Sequence, residues 1–313
     1  MKKIKPRYSG NRPARAISLI LTFAFCCCGG LLHGQQTTSL LGKPLDSPSP
    51  NAEILEKLNN RQKKFTQNPN ADNLIWLGRF QAYSGDYLAA IKTFTTGIEQ
   101  FPQDARMRRH RGHRYITLRQ FDKAIEDFDK AIPLIEGQPN PIEPDGMPNP
   151  KNIPISTLHG NIYYHKGLAH YLKGEWPEAL DAYQTCQQIG KNDDNLVSSG
   201  HWIYCILQRM GKPDAADESL ENIQIDMNII ENHSYHRACL YYKKLISRDE
   251  LFEGLDQSPS GDSLKYAYAN WLQTAGKAPQ EAELELKKII SSDGWPAFGH
   301  ISAEADLARK QKQ

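Results

Sequence analysis

The feature that most constrains this chain is a spacing. "WLGRFQAYSGDYLAAIKTFTTGIEQFP" begins at Trp76, "RGHRYITLRQFDKAIEDFDKAI" at Arg111 and "HKGLAHYLKGEWPEALDAYQTC" at His165. Each reads as glycine, an aromatic-bearing helix, a short break and a second helix carrying A-[IL]-x-x-[FY]. Gly78 and Gly112 are 34 residues apart, as are Ala90 and Ala124, and Phe94 and Phe128. A fixed period of this size describes one supersecondary unit that cannot bury its apolar face alone and must stack on copies of itself.

The third unit is displaced. Gly112 and Gly167 are 55 apart, an excess of 21 residues. That excess is "EGQPNPIEPDGMPNPKNIPIS", Glu136–Ser156, which carries six prolines. Proline lacks a donor and blocks helix, so the segment reads as an extended loop inserted between units two and three. A long loop of this kind is either functional or disordered, and as a functional element it would be a flap over one edge of the array.

The pattern resembles the tetratricopeptide repeat, a pair of antiparallel helices of 34 residues. Gly78, Gly112 and Gly167 match the small residue of the first helix, and Ala90, Ala124 and Ala179 that of the second. Phe94, Phe128 and Tyr183 match its aromatic; Gly97, Ala131 and Cys186 match the later small position. The physical sense is that small side chains let two helix backbones approach while an aromatic fills the space between them. The resemblance implies an all-α fold, a right-handed superhelix of antiparallel helix pairs (an α-solenoid).

The expected organisation is an export signal over 1–34 and a linker with a lead-in helix over 35–70. Repeats one and two occupy 71–134 and the proline-rich insertion 135–157. Repeats three and four fill 158–230, the fourth degenerate, with Tyr204 in place of the crossing glycine. Repeat-like helices and a polar terminal cap occupy 231–313.

In the family the first helix of each pair lines a concave surface. Positions 2, 5, 9 and 12 of each unit share one helical face. Repeat one then offers Arg79 with Asp72, Ile75 and Ala82; repeat two offers Arg106, Arg109, His113 and Ile116; repeat three offers Tyr164 and Tyr171 with Asn161 and Leu168. Arg79, Arg106, Arg109 and His113 form a cationic floor, and Tyr164 and Tyr171 an aromatic wall. Guanidinium forks grip carboxylates at two points, so the expected partner is an acidic or C-terminal segment of another protein.

Other chemistries are weaker. Lys and Arg total 38 against 36 Asp and Glu, a net charge of +2, so any basic patch is local. Six arginines between Arg106 and Arg119 meet an acidic following helix, "EDFDK", and no nucleic-acid partner is expected. The pairs His110/His113 and His233/His236 have no Cys or carboxylate at ligand spacing, and no P-loop, dinucleotide fingerprint, G-x-S-x-G or HExxH occurs, so neither cofactor nor metal is expected. The alternative is a metal-dependent or hydrolytic envelope protein using "ENHSYH", where Glu231, Ser234 and the two histidines fall together; a helix cap at Asn232 or Ser234 explains that cluster better.

The N-terminus, "MKKIKPRYSGNRPARA" then "ISLILTFAFCCCGGLLHG", is basic and then apolar, as an export signal is. A cut before Gln35 gives a periplasmic or secreted protein; a lipoprotein at one of Cys26–Cys28, or an uncleaved anchor, is the alternative. The membrane is otherwise not a partner. Cys186, Cys205 and Cys239 are an odd number in helix-like stretches and read as free buried thiols.

Overall fold

The computed structural model describes residues 34–255 and 259–311. Met1–His33, on which the export reading rests, and Cys26–Cys28 lie outside the described residues. No described helix is long and apolar enough to cross a membrane.

The fold is all-α apart from one short hairpin. The first two repeats are α2 (Ala71–Tyr83) with α3 (Tyr87–Gln100), and α4 (Ala105–Thr117) with α5 (Phe121–Ile135). The third is α6 (Leu158–Lys173) with α7 (Trp176–Ile189). The lead-in helix α1 (Ala52–Gln67) packs on α2. Four of the six starts in these repeats are written locally: the side chains of Asn70, Asp86, Asp104 and Thr157 accept backbone N–H groups of the first turns of α2, α3, α4 and α6.

The repeat signature has a common geometry. A Cβ on Gly78 would lie 2.6 Å from the Phe94 ring, on Gly112 2.7 Å from Phe128, and on Gly167 2.7 Å from Tyr183. Ala90, Ala124 and Ala179 are fully buried. The aromatic of the second helix therefore fills the notch left by the glycine of the first.

The break inside repeat one is Gly85, with φ +86°, and inside repeat three Gly174, with φ +82°. The equivalent position in repeat two, 34 residues after Gly85, is Arg119, with φ +62°. A non-glycine residue there costs about 1 kcal/mol. Arg119 is held there by what its side chain reaches.

Beyond repeat three the period decays. α8 (Asp193–Arg209) is followed by α9 (Pro213–Glu218), only 6 residues long. Tyr204 stacks flat on Tyr242 of α10 (His233–Tyr242), with ring centroids 4.2 Å apart. A short α11 (Arg248–Phe252) leads to the pair α12 (Pro259–Gln273) and α13 (Pro279–Ile290).

The terminal helix α14 (Phe298–Gln311) departs from the expected polar cap. Residues Gly299–Ala308 are all buried, including Glu304 and Asp306, and α14 packs on α6, α12 and α13. Its acids are tolerated because each is answered: Glu304 by Arg119, Asp306 by Arg209 and Arg309. The strands β1 (Gln35–Thr38) and β2 (Pro44–Asp46) form an antiparallel hairpin that joins the two ends of the array. Thr37 Oγ1 donates to the Leu118 carbonyl, Leu40 N–H to Glu304, and Trp295 Nε1 to the Asp46 carbonyl.

Candidate partner-binding groove

The helix that opens repeat two carries five arginines, Arg106, Arg108, Arg109, Arg111 and Arg114, and their settings differ. Arg106 is held by Asp104 and Asp72 at the rim. Arg111 grips Asp127 of α5 with two bonds of 2.7 Å, and Arg108 approaches the same carboxylate. Asp127 is buried, so the acidic second helix neutralises part of the basic first one. Arg119 donates to both oxygens of Glu304.

Arg109 and Arg114 have a different setting. Arg109 pairs at 2.9 Å with Glu143, which comes from the proline-rich insertion. Its Nε is buried without a hydrogen-bond partner among the described residues. Arg114 lies over the Tyr87 ring at 5.8 Å, and no carboxylate among the described residues pairs with it. Burial lowers Arg109 below the usual guanidinium range and brings Arg114 down to about 10, with Arg79 and Arg109 adding repulsion at Arg114. Arg79 stacks on Trp76 at 4.4 Å and donates to the Tyr83 hydroxyl and to the Pro144 carbonyl. The three guanidinium groups are thus near enough to act on one another, and among them only Arg109 pairs with a carboxylate of the described residues, Glu143.

The insertion reaches further. Its neck is a β-bridge between Ile142 and Thr157, with Glu143 N–H donating to the Ser156 carbonyl. Glu143 also accepts from Asn161 of α6 and lies 3.6 Å from His110. Gly146 packs on the Tyr83 ring so closely that a Cβ would lie 2.5 Å from it. At the far side Asn149 reaches Glu231 and Lys151 reaches the Ile229 carbonyl, at 3.4 and 3.3 Å. The segment is therefore a strap running from α2 to the connection before α10.

The remaining predicted groove residues lie deeper than a lining position. His113 packs between His165, 4.3 Å away, and Phe298 at the start of α14, 5.2 Å away. Burial first, and the nearby arginines second, hold His110, His113 and His165 well below the ordinary imidazole value, so all three are neutral near pH 7. Tyr164 is half-buried, accepting from Trp202 Nε1 and donating to Tyr235. Tyr171 is fully buried, 2.6 Å from the Tyr266 hydroxyl. The aromatic wall is thus packed against α8, α10 and α12 within the array, because those helices and α14 fold back over the face that the repeat frame left open. Two adjoining cavities of about 260 and 270 Å³ remain beside it, sharing Glu231, Asn232, Tyr235 and Phe298.

The "ENHSYH" cluster is architectural. Asp194, in the first turn of α8, is buried and accepts from the backbone N–H groups of Ile230, Glu231 and Asn232 at 2.9, 2.9 and 2.7 Å. Asn232 occupies the N-cap of α10, and His236 donates from Nε2 to the Gln224 carbonyl. No grouping of three or more His, Cys, Asp or Glu side chains suited to a metal occurs among the described residues. Cys186, Cys205 and Cys239 are free and buried, and burial pushes Cys186 and Cys205 up to about 12.

The helical frame places Arg79, Arg109 and Asn161 on the first-helix face, but not Glu143, Tyr83 and Arg114 beside them. One signal was available: Glu143 and Asp145 are the only acids inside the proline-dense stretch between Pro139 and Pro154.

A family model of the tetratricopeptide repeat matches residues 77–140. No curated protein matches the chain. Among solved structures it is similar to YrrB, described as a tetratricopeptide-repeat protein with an unusual peptide-binding site, at 15% identity and a TM-score of 0.40, covering 80% of this chain and 97% of that one. It is similar to MamA at 16% identity and a TM-score of 0.42, covering 66% and 90%. A tetratricopeptide-repeat protein from Parabacteroides merdae is similar at 13% identity and a TM-score of 0.47, covering 80% and 92%. The period, the glycine–aromatic notches and the matched segment agree: residues 77–140 carry tetratricopeptide repeats within an all-α fold.

Proposed function

We propose that the protein is a non-catalytic scaffold or adaptor of the cell envelope that binds an acidic or C-terminal segment of another protein. The observation that carries this reading is the imbalance of charge on the first-helix face. Arg79, Arg109 and Arg114 stand together with Glu143 as their one ion-paired carboxylate. Partly desolvated guanidinium groups of this kind favour a carboxylate ligand, because the ligand restores the counter-charge that water supplies elsewhere. Arg106 belongs to the rim of the same face; His113, Tyr164 and Tyr171 hold its shape from behind. Export to the periplasm or the medium is proposed from the basic and then apolar N-terminus.

The test is a capture experiment from envelope extract with the full chain and with Arg79→Glu/Arg109→Glu. A protein bound by the wild type, lost in the variant and recovered when its acidic segment is changed to lysines supports the reading. Identical capture by both chains refutes it.

A further inference from the structure

We propose that Glu143–Gly146 of the strap is an intramolecular ligand for this groove, and that the partner is an extended acidic segment that displaces it. The inference rests on the proposed function and adds the chemistry of the partner and the control of access.

The contacts of these four residues are those expected of a bound peptide rather than of a linker. The Glu143 carboxylate takes Arg109 on one side and Asn161 on the other. The next carbonyl, of Pro144, takes Arg79 at 2.9 Å. Asp145 adds a second acid within reach of the Arg79 charge, with one oxygen buried and without a hydrogen bond among the described residues. Gly146 lies on the Tyr83 ring. Side chain, main chain and a flat ring contact alternate along four residues, which reads a short acidic motif with proline after its first acid.

The remainder of the strap is held lightly. Between Gly146 and Ile153 its hydrogen bonds to the array are Asn149 to Glu231 at 3.4 Å and Lys151 to the Ile229 carbonyl at 3.3 Å, and its far end is anchored where Asn192 donates to the Ile155 carbonyl at 3.1 Å. Met147 and Ile153 are more than two-fifths exposed, at 58% and 47%. The neck, made of the bridge Ile142–Thr157 and the Glu143 N–H to the Ser156 carbonyl, fixes both ends, so the Glu143 side chain leaves by rotation while the segment beyond it swings. A tethered ligand competes at high effective concentration, so a free peptide sees the groove only in the fraction of molecules whose strap is open.

The experiment uses a fluorescein-labelled peptide of the strap sequence, PNPIEPDGMPNP, with anisotropy read on the full chain, on Glu143→Ala/Asp145→Ala, and on that variant with Arg79→Glu/Arg109→Glu added. The expected result is binding at least about tenfold tighter to the alanine variant than to wild type, from relief of internal competition, and no binding to the arginine-reversed chain. Equal affinity for wild type and alanine variant overturns the strap as competitor while leaving the groove. No binding to any chain overturns the groove itself and the inference with it. A second reading needs no substitution: saturating peptide on wild type should speed hydrogen exchange at residues 145–153. Unchanged or slower exchange there contradicts displacement.

Discussion

Removing the carboxylate of Glu304 should loosen both ends of the array at once. Glu304 and Arg119 are each about 2% exposed at the side chain and joined by bonds of 3.1 and 2.8 Å. Glu304 also accepts the Leu40 N–H of the hairpin connection at 2.6 Å. Glu304→Ala deletes three hydrogen bonds to a carboxylate, the two from Arg119 worth about 1.5–3 kcal/mol each, and leaves a cation and the Leu40 N–H without their partner. Arg119 keeps the Thr117 and Trp295 carbonyls and the Trp295 ring at 5.4 Å, which offsets part of the loss. The expected destabilisation is about 3–5 kcal/mol, the range for breaking one side of a buried pair. Replacing both partners, as Arg119→Met/Glu304→Leu, should recover part of that loss, since no charge is then left buried, while the Leu40 N–H and the Thr117 and Trp295 carbonyls stay unpaired. Urea unfolding followed by far-ultraviolet circular dichroism measures the sum. Hydrogen exchange separates the parts, because repeat arrays open piecewise. Residues 35–46 and 298–311 should exchange faster in Glu304→Ala while α5 and α7 stay protected. A loss under about 1 kcal/mol with unchanged exchange at both ends would refute the argument that this pair closes the array.

Other consequences follow from single contacts. Gly112→Val places its Cβ 2.7 Å from the Phe128 ring and should destabilise by about 1–3 kcal/mol from overpacking, whereas shortening Phe128 as well should recover part of it; additive losses would argue against the notch. Asp194→Ala strands three backbone N–H groups and should cost about 2–4 kcal/mol, with exchange rising at residues 230–236. The buried histidines set a pH dependence. His110, His113 and His165 are held well below their unfolded value, and His201 and His300 fall to about 3 and about 4. The unfolded chain therefore binds more protons, so stability present above pH 6.5 is lost as pH falls below it, by up to about 1.4 kcal/mol per pH unit for each. Urea midpoints at pH 7.5 and 5.5 check this; a midpoint that holds or rises on acidification contradicts it.

The repeats were legible because their signal is local and periodic: a glycine, an alanine and an aromatic at fixed offsets dictate one notch whatever surrounds them. The nearness of Arg79 and Arg109 was legible for the same reason, since helical spacing fixes which residues share a face. The covering of that face was not. α14 reads as a polar cap because Glu304 and Asp306 are acids, and nothing nearby in sequence reveals that Arg119 and Arg209 answer them from 185 and 97 residues away. The substitution of Arg119 for the left-handed glycine of repeat one was the single sequence clue to that long-range pair. The strap was recognised by its prolines, but where it lands depends on tertiary contacts that composition does not encode. The β1–β2 hairpin is short and polar and carries too little alternation to stand out.

The most direct test of the whole account is isothermal titration of the Glu143→Ala/Asp145→Ala chain with two synthetic peptides of the strap sequence, one natural and one with its Glu and Asp changed to Gln and Asn. Recognition of an acidic segment by Arg79, Arg109 and Arg114 predicts at least about tenfold weaker binding of the neutral peptide, and a gap that narrows as salt is raised. Equal affinities for the two peptides, independent of salt, would show that charge is not what the groove reads and would contradict the central claim.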